Sequence, residues 1–485
     1  MVPWRLLALL GVLVLCLYIS TVQTGGNDFW LQAKIGEIVA RDHTIPDTLL
    51  FPFTEVVTQK FNAHEWLASV LFHGLLRTVG EAGLPFVTGL LGVAYLLGAI
   101  SLAYLRSEGN GGVALLAGLL ALGVENYRHA IRPELLTLIL LQAYWWILER
   151  HRRCPHVGNV IASACLVVIW ANSHGSFILA PVMACIYAIG IHIDTMRQVR
   201  SVHVTPGRLA VSFLLLFVAV SGACLLTPFG GELLAFVFEF GNNVAVTQQV
   251  AEWGSTLQMK WLHLPGFWLA VGAWLLTLCA MVVRRAQLSA VDILFFVFFT
   301  ALALKAIRFP VYLGTVAAFV GSGLAPASWK NKNFQSVLYH WVTALSTAAL
   351  TVALVWGNTF HVHHYTPGYM KMSDGMVRTL SDPQYRGHVL NSFELGAELV
   401  YRAYPRLQPA VDSRVDSYGT DYIDYQKTLL RDDTLLKEFV ARYDVRYLLL
   451  DLNGFYVLQD LRSWKDQHWK VVFQDRNSVF LARND

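Results

Sequence analysis

The sequence predicts a polytopic α-helical membrane protein that carries a small α/β domain at its carboxyl end. Of its 485 residues, 55% are hydrophobic and 14% are charged, whereas soluble domains carry about a quarter charged residues. The charge is also uneven, because the last 129 residues hold 33 of the 70 charged side chains. We therefore expect a membrane-embedded region, 1–356, followed by an extracytoplasmic water-soluble domain, 357–485.

Eleven apolar runs approach the length of roughly 20 residues that a bilayer-spanning helix needs. We expect about 11 transmembrane helices, at 5–23, 83–104, 112–124, 134–149, 158–171, 177–193, 209–227, 266–283, 289–304, 309–326 and 338–356. The first run is followed by a poor cleavage site for a signal peptidase, so we interpret it as a retained anchor.

Two further segments of the first polar loop have the pattern of helices that lie in the membrane interface. Over 65–80 the apolar residues recur at helical spacing and polar residues recur every four positions; 32–41 has a similar pattern. If both are interfacial, most lysines and arginines of the short loops fall on one face, as the positive-inside rule requires. The amino terminus is then cytoplasmic, and the loops 24–82 and 228–265 and the carboxyl-terminal domain face outward.

The carboxyl-terminal domain alternates short strand-like and helical segments. Strands are predicted at 389–391, 409–412, 446–450, 470–473 and 478–481, and helices at 394–403 and 432–443. Asp412 and Arg414 follow the second strand, in a position where binding residues often lie. An internal Asp–Arg ion pair explains them equally well.

Several classes of function are excluded or unsupported. The net charge of +4 is spread along the chain, so we expect no nucleic-acid partner. The six cysteines form neither a CxxC pair nor a disulfide framework, because five lie in apolar runs and Cys154 lies in a basic loop. Walker and dinucleotide glycine motifs are absent from the sequence.

Asp28 is the candidate general base of the first outer loop. A carboxylate at the membrane surface binds a proton more tightly than one in water, which suits that role. The alternative is an N-cap for a helix that starts near Phe29. Glu65, at the start of the amphipathic helix 65–80, either interacts with the helix dipole or faces a cavity.

Arg128 and Arg132 lie in an outer loop between two apolar runs. A guanidinium group in such a setting suits a phosphate, because its planar fork binds oxyanions through two hydrogen bonds. The alternative is a pair of structural ion pairs with Glu125 and Glu134.

Two other outer loops carry polar residues next to apolar runs. Asn172 and His174 interrupt such a stretch, and because polar groups are costly in lipid we expect them to line a wet cavity, unless they form a plain tight turn. Lys305 and Arg308 form a second cationic pair, which binds either a substrate or lipid headgroups.

The order of these motifs resembles that of bacterial polytopic membrane proteins related to the GT-C glycosyltransferases, the class of enzymes that uses polyprenyl-phosphate sugar donors. The similarity runs along nearly the whole chain, through short motifs. They are Asp28-Phe29-Trp30, Ile45-Pro46 to Phe53-Thr54, His64-Glu65-Trp66-Leu67, Arg132-Pro133, Trp170-Ala171-Asn172-Ser173-His174-Gly175, Thr227-Pro228-Phe229-Gly230, and Asp412-Ser413-Arg414 with Asp416 and Tyr418.

The resemblance implies a first outer loop with two juxtamembrane helices and an acidic catalytic base, a position that Asp28 matches. It also implies sugar transfer at the outer face of the cytoplasmic membrane, from a polyprenyl-phosphate donor to an acceptor glycan, lipid or protein. The loop lacks the DxD-like carboxylate pair that is frequent in GT-C enzymes. We therefore assign no metal ligand, and a divalent metal cofactor is an open alternative.

The resemblance also suggests roles for the remaining candidate residues. Arg128, Arg132 and Arg308 neutralise the leaving phosphate; Glu65, Asn172 and His174 orient sugar hydroxyls; and the outer domain, with Asp412 and Arg414, selects the acceptor. Two alternatives are a non-catalytic component of a glycan assembly machine and a lipid or glycan transporter. The transporter reading is weaker, because no internal repeat is visible.

Overall fold

The computed structural model describes residues 2–21, 27–197, 206–242, 251–258, 264–356, 372–429, 431–452 and 468–484. The packing divides the chain into two compact units. The first, which we call the helical unit, comprises Met1–Val22, Pro85–Leu234 and Ala251–Val362. The second, which we call the sheet unit, comprises Gln23–Leu84, Ala235–Val250 and His363–Asp485.

The described part of the chain is mostly helical. Up to residue 242 its α-helices are α1 (Trp4–Thr21), α2 (Asn27–Asp42), α3 (Trp66–Arg106), α4 (Gly111–Glu125), α5 (Pro133–Arg153), α6 (Val157–Ala171), α7 (Leu179–Met196), α8 (Pro206–Ala223) and α9 (Gly231–Asn242). From residue 265 onwards they are α10 (Pro265–Val283), α11 (Ala290–Lys305), α12 (Tyr312–Val316), α13 (Lys332–Trp356), α14 (Asp374–Ser381), α15 (Phe393–Ala403), α16 (Val415–Tyr418), α17 (Thr420–Leu429) and α18 (Asp433–Tyr443).

Each of the eleven predicted apolar runs overlaps a helix of the structure. Among the described residues, three helical stretches are long and apolar enough to cross a membrane, namely Trp66–Arg106, Gly175–Met196 and Gly266–Val283; several other apolar helices are shorter. The run 309–326 forms only the five residues of α12, followed by a π-helical turn, Ala317–Gly321. The number of membrane crossings therefore stays a prediction.

The core of the helical unit is rich in aromatic residues. Trp145 of α5 is fully buried and packs against Phe295, Phe299 and Phe319, with ring centroids 4.5, 5.6 and 4.4 Å away. Such contacts fix relative helix positions because aromatic rings bury large areas in specific geometries.

A buried ion-pair network joins the ends of three helices in the same unit. Arg106, at the end of α3, bonds Asp292 of α11 at 2.7 Å and Glu149 of α5 at 3.3 Å. Charges removed from water need partners of this kind. The network therefore ties α3, α5 and α11 together.

Helix α3 contains a kink at Gly80, whose φ of 64° and ψ of −179° are not helical. Glycine lacks a Cβ and adopts this backbone conformation without steric cost. The kink separates the amphipathic segment predicted at 65–80 from the apolar run predicted at 83–104, so both segments are confirmed as helices. Their placement in or across a membrane stays a prediction.

Helices α2 and α3 approach each other closely in the sheet unit. A Cβ on Gly36 would lie 2.0 Å from the carbonyl oxygen of Ser69, a distance that no side chain tolerates. The second predicted amphipathic segment, 32–41, lies within α2 and is confirmed as a helix. Its Gly36 permits the close packing of α2 on α3.

The described residues of the sheet unit form a sheet of five strands in the order β2-β1-β3-β5-β4. They are β1 (Gly387–Asn391), β2 (Leu407–Pro409), β3 (Val445–Asp451), β4 (Trp469–Gln474) and β5 (Ser478–Arg483). The pairs β1–β2 and β1–β3 are parallel, and β3–β5 and β4–β5 are antiparallel. Four of the five predicted strands and both predicted helices of this domain are confirmed. The predicted strand 409–412 shares only Pro409 with β2, because beyond that residue the Asn391 side chain accepts from the Ala410 N–H and donates to the Val411 carbonyl. Helices α14, α16 and α17 were not predicted.

Candidate active site

The candidate residues are divided between the two units. The helical unit holds Arg128, Arg132, Asn172, His174 and Arg308. The sheet unit holds Asp28, Glu65, Asp412 and Arg414.

Three arginines of the helical unit surround two carboxylates. Arg128 donates to Glu134 and, at 2.9 Å, to Glu252. Arg132 lies 2.9 Å from Glu252, and Arg308 lies 3.8 Å from Glu134. We call these five residues the arginine cluster; its formal charge is +1.

The side chains of the arginine cluster keep one another ionised. Burial disfavours the charged guanidinium of Arg128, but the carboxylates of Glu134 and Glu252 hold its pKa well above the usual range. Burial likewise disfavours the charged form of Glu252, yet Arg128 and Arg132 lower its pKa well below the usual range. The excess positive charge is therefore present at physiological pH.

The arginine cluster retains hydrogen-bonding capacity toward an anion. The Nε atom of Arg128 is buried and has no hydrogen-bond partner among the described residues. The side chains of Arg132 and Arg308 are 24% and 17% exposed, against 8% for Arg128. Arg308 also lies over the Trp253 ring, 4.9 Å from its centroid, which orients the guanidinium.

Sequence reasoning assigned only part of the arginine cluster. Glu252 lies 118 positions after Glu134, and no local pattern links it to Arg128. Glu125, one expected partner of the arginines, is instead paired with His129, whose Nδ1 lies 2.6 Å from Glu125 Oε1. The His129 Nε2 contacts the Thr88 carbonyl at 3.1 Å.

Asn172 and His174 form a hydrogen-bonded turn between α6 and α7. The Asn172 amide donates to the carbonyls of Val168 and Leu226, at 2.8 and 3.0 Å. His174 Nδ1 accepts from the backbone N–H of Ser176 at 3.1 Å and lies 2.7 Å from its hydroxyl. These contacts match the tight-turn alternative, and a role in substrate binding stays a prediction.

Asp28 is exposed in the first turn of α2, which begins at Asn27. The following residues, Phe29 and Trp30, are fully buried. Asp28 therefore lies one residue inside the helix rather than at the N-cap position, and a carboxylate there still interacts favourably with the helix dipole. Its two buried neighbours fix the exposed side chain at the start of the helix.

Glu65 is bound to the same helix through Gln32. Gln32 Nε2 donates to Glu65 Oε2 at 2.5 Å, and the Ser69 hydroxyl donates to Gln32 Oε1. Because Gln32 follows Asp28 by four positions, the two share one face of α2. Sequence reasoning missed Gln32, although its spacing from Asp28 was a usable signal.

Asp412 and Arg414 form a fully buried bidentate pair. The Nε and Nη2 atoms of Arg414 lie 2.9 and 2.5 Å from the two Asp412 oxygens. The guanidinium also lies over the rings of Phe51 and Phe61, 5.0 and 4.5 Å from their centroids. The structure thus contains the internal ion pair that the sequence left open, and a contact with substrate stays a prediction.

Among the described residues, no group of three or more His, Cys, Asp or Glu side chains is arranged so that it can hold a metal ion.

Solved structures share the fold of this chain, whereas no family model and no curated protein matches its sequence. The apo oligosaccharyltransferase of Archaeoglobus fulgidus superimposes with a TM-score of 0.54 at 13% identity, over 92% of this chain and 69% of that one. The same organism's AglB, in complex with an inhibitory peptide and a dolichol-phosphate, gives 0.52 at 13% identity, over the same shares of both chains.

A bacterial structure matches over almost its whole length. ArnT from Cupriavidus metallidurans, bound to undecaprenyl phosphate, superimposes with a TM-score of 0.53 at 14% identity, over 99% of this chain and 97% of that one. The chain therefore has the GT-C fold, that of polyprenyl-phosphate-dependent glycosyltransferases. The predicted resemblance is confirmed at the level of the fold.

Proposed function

We propose that this protein is a multi-pass glycosyltransferase of the bacterial cytoplasmic membrane that uses a polyprenyl-phosphate-linked sugar donor. The observation that carries the proposal is the GT-C fold, shared over nearly the full length of ArnT, whose solved structure holds undecaprenyl phosphate. The AglB complex holds a dolichol-phosphate, a second polyprenyl phosphate. With a cytoplasmic amino terminus, the carboxyl-terminal domain faces outward, where we expect transfer to an acceptor glycan, lipid or protein.

The arginine cluster is suited to the phosphate of the donor. Its formal charge of +1, the buried Nε of Arg128 and the partly exposed Arg132 and Arg308 offer charge and donors to an oxyanion. A leaving phosphate is a weak base, so its departure needs charge neutralisation rather than a proton. We assign that role to these arginines.

Asp28 acts as the general base in this proposal. It takes the proton of an acceptor hydroxyl while that oxygen bonds to the anomeric carbon and the bond from this carbon to the phosphate oxygen breaks, with inversion. Glu65, Asn172 and His174 orient hydroxyl groups of the sugars. The domain that carries Asp412 and Arg414 contributes to the choice of acceptor.

The decisive experiment is turnover by the purified protein in liposomes that contain a polyprenyl-phosphate-linked sugar and candidate acceptors. Asp28→Asn should lower the rate by about 10²–10⁴-fold, the usual contribution of a general base. The matched control is Asp42→Asn, since Asp42 is an exposed carboxylate at the other end of α2, paired with Arg41. Near-normal turnover by the Asp28→Asn protein would reject the assignment.

One observation favours the alternative of a non-catalytic component of a glycan assembly machine. Asp412 and Arg414 bond to each other in a buried pair, and the arginine cluster is largely paired internally, as in a purely structural scaffold. That alternative predicts full function of the Asp28→Asn protein in cells that lack the wild-type gene.

A further inference from the structure

A guanidinium of the carboxyl-terminal part of the sheet unit, 372–484, which we call the α/β module, stacks on the helix that carries Asp28. The Cζ atom of Arg402, on α15, lies 4.4 Å from the centroid of the Trp30 ring, which is fully buried. Tyr401 packs against the same indole, with ring centroids 4.8 Å apart. Trp30 follows Asp28 by two positions, so these contacts hold the first turn of α2.

The same guanidinium is hydrogen-bonded to two carboxylates. Arg402 donates from both terminal nitrogens to Glu81, with the Nη2 bond at 2.9 Å, and from Nη2 to Glu398 at 3.1 Å. Glu398 also accepts the backbone N–H of Met372 at 2.9 Å. Burial disfavours the charge of Arg402, but these carboxylates raise its pKa above the usual value, so it stays a cation.

Glu81 lies directly after Gly80, the residue at which α3 is kinked. Two other contacts of α2 reach the chain before that kink. Phe29 packs on Phe72 of α3, with ring centroids 5.3 Å apart, and Gln32 donates a hydrogen bond to Glu65, the residue before α3. Arg402 thus joins the start of α2 to the chain immediately after the kink.

We propose that Arg402 is a positioning residue for Asp28, which it acts on through the Trp30 stack and the Glu81 ion pair. This inference rests on the proposed function, in which Asp28 is the base. It makes the α/β module part of the catalytic geometry, because α15 of that module sets the position of the first turn of α2.

The geometry requires arginine in particular. A planar guanidinium stacks on an indole face while its edge donates two parallel hydrogen bonds to a carboxylate, whereas an ammonium group offers a point charge only. Arg402→Lys should therefore restore part of what Arg402→Met loses. Glu81→Gln keeps the stack and weakens only the ion pair, so its effect should be smaller than that of Arg402→Met.

The core of the module does not depend on Arg402. Its helix is packed on the sheet by Leu395, Leu399 and Ala403, which belong to a buried cluster with Val389 and Leu407. We therefore expect the Arg402→Met protein to fold, with a change confined to α2 and its surroundings.

The test combines amide hydrogen exchange with kinetics on the full-length protein in lipid nanodiscs. In Arg402→Met, exchange within α2 should rise about tenfold while that of β3 stays unchanged. The kcat of sugar transfer should fall about tenfold with little change in KM, and Arg402→Lys should recover part of both effects. The control is Arg446→Met, because Arg446 is exposed and its ion pair is with Asp444, which is exposed as well.

The outcomes separate the two proposals. Unchanged exchange of α2 in Arg402→Met overturns the positioning role, and so does faster exchange with an unchanged kcat. Absence of turnover by the wild-type protein with any donor rejects the proposed function instead, and the exchange experiment still reports whether Arg402 holds α2.

Discussion

The amide of Gln32 donates a hydrogen bond of 2.5 Å to the carboxylate of Glu65 and thereby joins α2 to the start of α3. Asp28 lies one turn before Gln32 on the same helix face. The pair thus links Asp28 and Glu65, two of the acidic candidates of the sheet unit, which are 37 positions apart in the sequence.

Gln32→Leu should destabilise the protein by about 1–3 kcal/mol, since the half-buried carboxylate of Glu65 loses a donor. The change can be followed as the midpoint of thermal unfolding in detergent. Gln59→Leu is the control, because Gln59 is exposed in the same unit. Equal midpoints for the two variants would contradict the role given to Gln32.

Gly36→Ala should destabilise by about 1–3 kcal/mol, because the added methyl group collides with the Ser69 carbonyl and pushes α2 from α3. Gly74→Ala, on α3, meets nothing within 4 Å and should be neutral or stabilising. Denaturant unfolding of both proteins compares them directly. A harmless Gly36→Ala would refute the close helix approach.

Arg128 and Arg132 should respond differently to replacement by Met. Loss of Arg128 weakens the pairing of the buried Glu134 and should cost about 3–5 kcal/mol. Loss of the more exposed Arg132 should cost only about 0–1 kcal/mol of stability. In a transfer assay, however, Arg132→Met should raise the KM for the donor roughly 10- to 100-fold, as expected for a lost charge-assisted bond. An unchanged donor KM would remove Arg132 from the phosphate site.

The arginine cluster should make stability depend on pH in the acid range. The pKa of Glu252 is lowered in the folded protein, so its contribution is complete above the ordinary glutamate pKa of 4.5 and is lost as the pH falls from there through the lowered pKa. The measurement is the unfolding midpoint between about pH 6 and pH 3, roughly one to two units on either side of the ordinary glutamate pKa. This midpoint should fall less steeply with decreasing pH in Glu252→Gln than in the wild type. Glu239→Gln, a change at an exposed position, should follow the wild type.

Local sequence patterns predicted most of the helices and four of the five strands of the described sheet. A short continuous apolar run is sufficient for β3 and β5, and helical periodicity for α15 and α18. Helix α17 was missed because its sequence, Thr420–Leu429, has few apolar residues and a weak face. Its buried face carries Ile423, Gln426 and Leu429, a spacing with one polar member that periodicity alone does not reveal.

The site was predictable only where its residues are neighbours in sequence. Asp28, Arg128 and Arg132 stand out because charge is rare near apolar runs. Glu252, which pairs with Arg128 and Arg132, and Arg402 are ordinary residues of polar segments. Only the tertiary fold brings Arg402 to Trp30, 372 positions away in the sequence. Contacts between residues so far apart cannot be predicted from the local patterns of a single sequence.

The composition of the sheet unit has a consequence for biosynthesis. Residues 23–84 are translated long before residues 363–485, with which they share a unit. Side chains of the early segment that contact the later one, such as Trp30 and Glu81, cannot make these contacts while nearly three hundred intervening residues are made, a situation that favours aggregation and proteolysis. Loss of residues 363–485 through a nonsense codon would therefore harm the segment 23–84 as well.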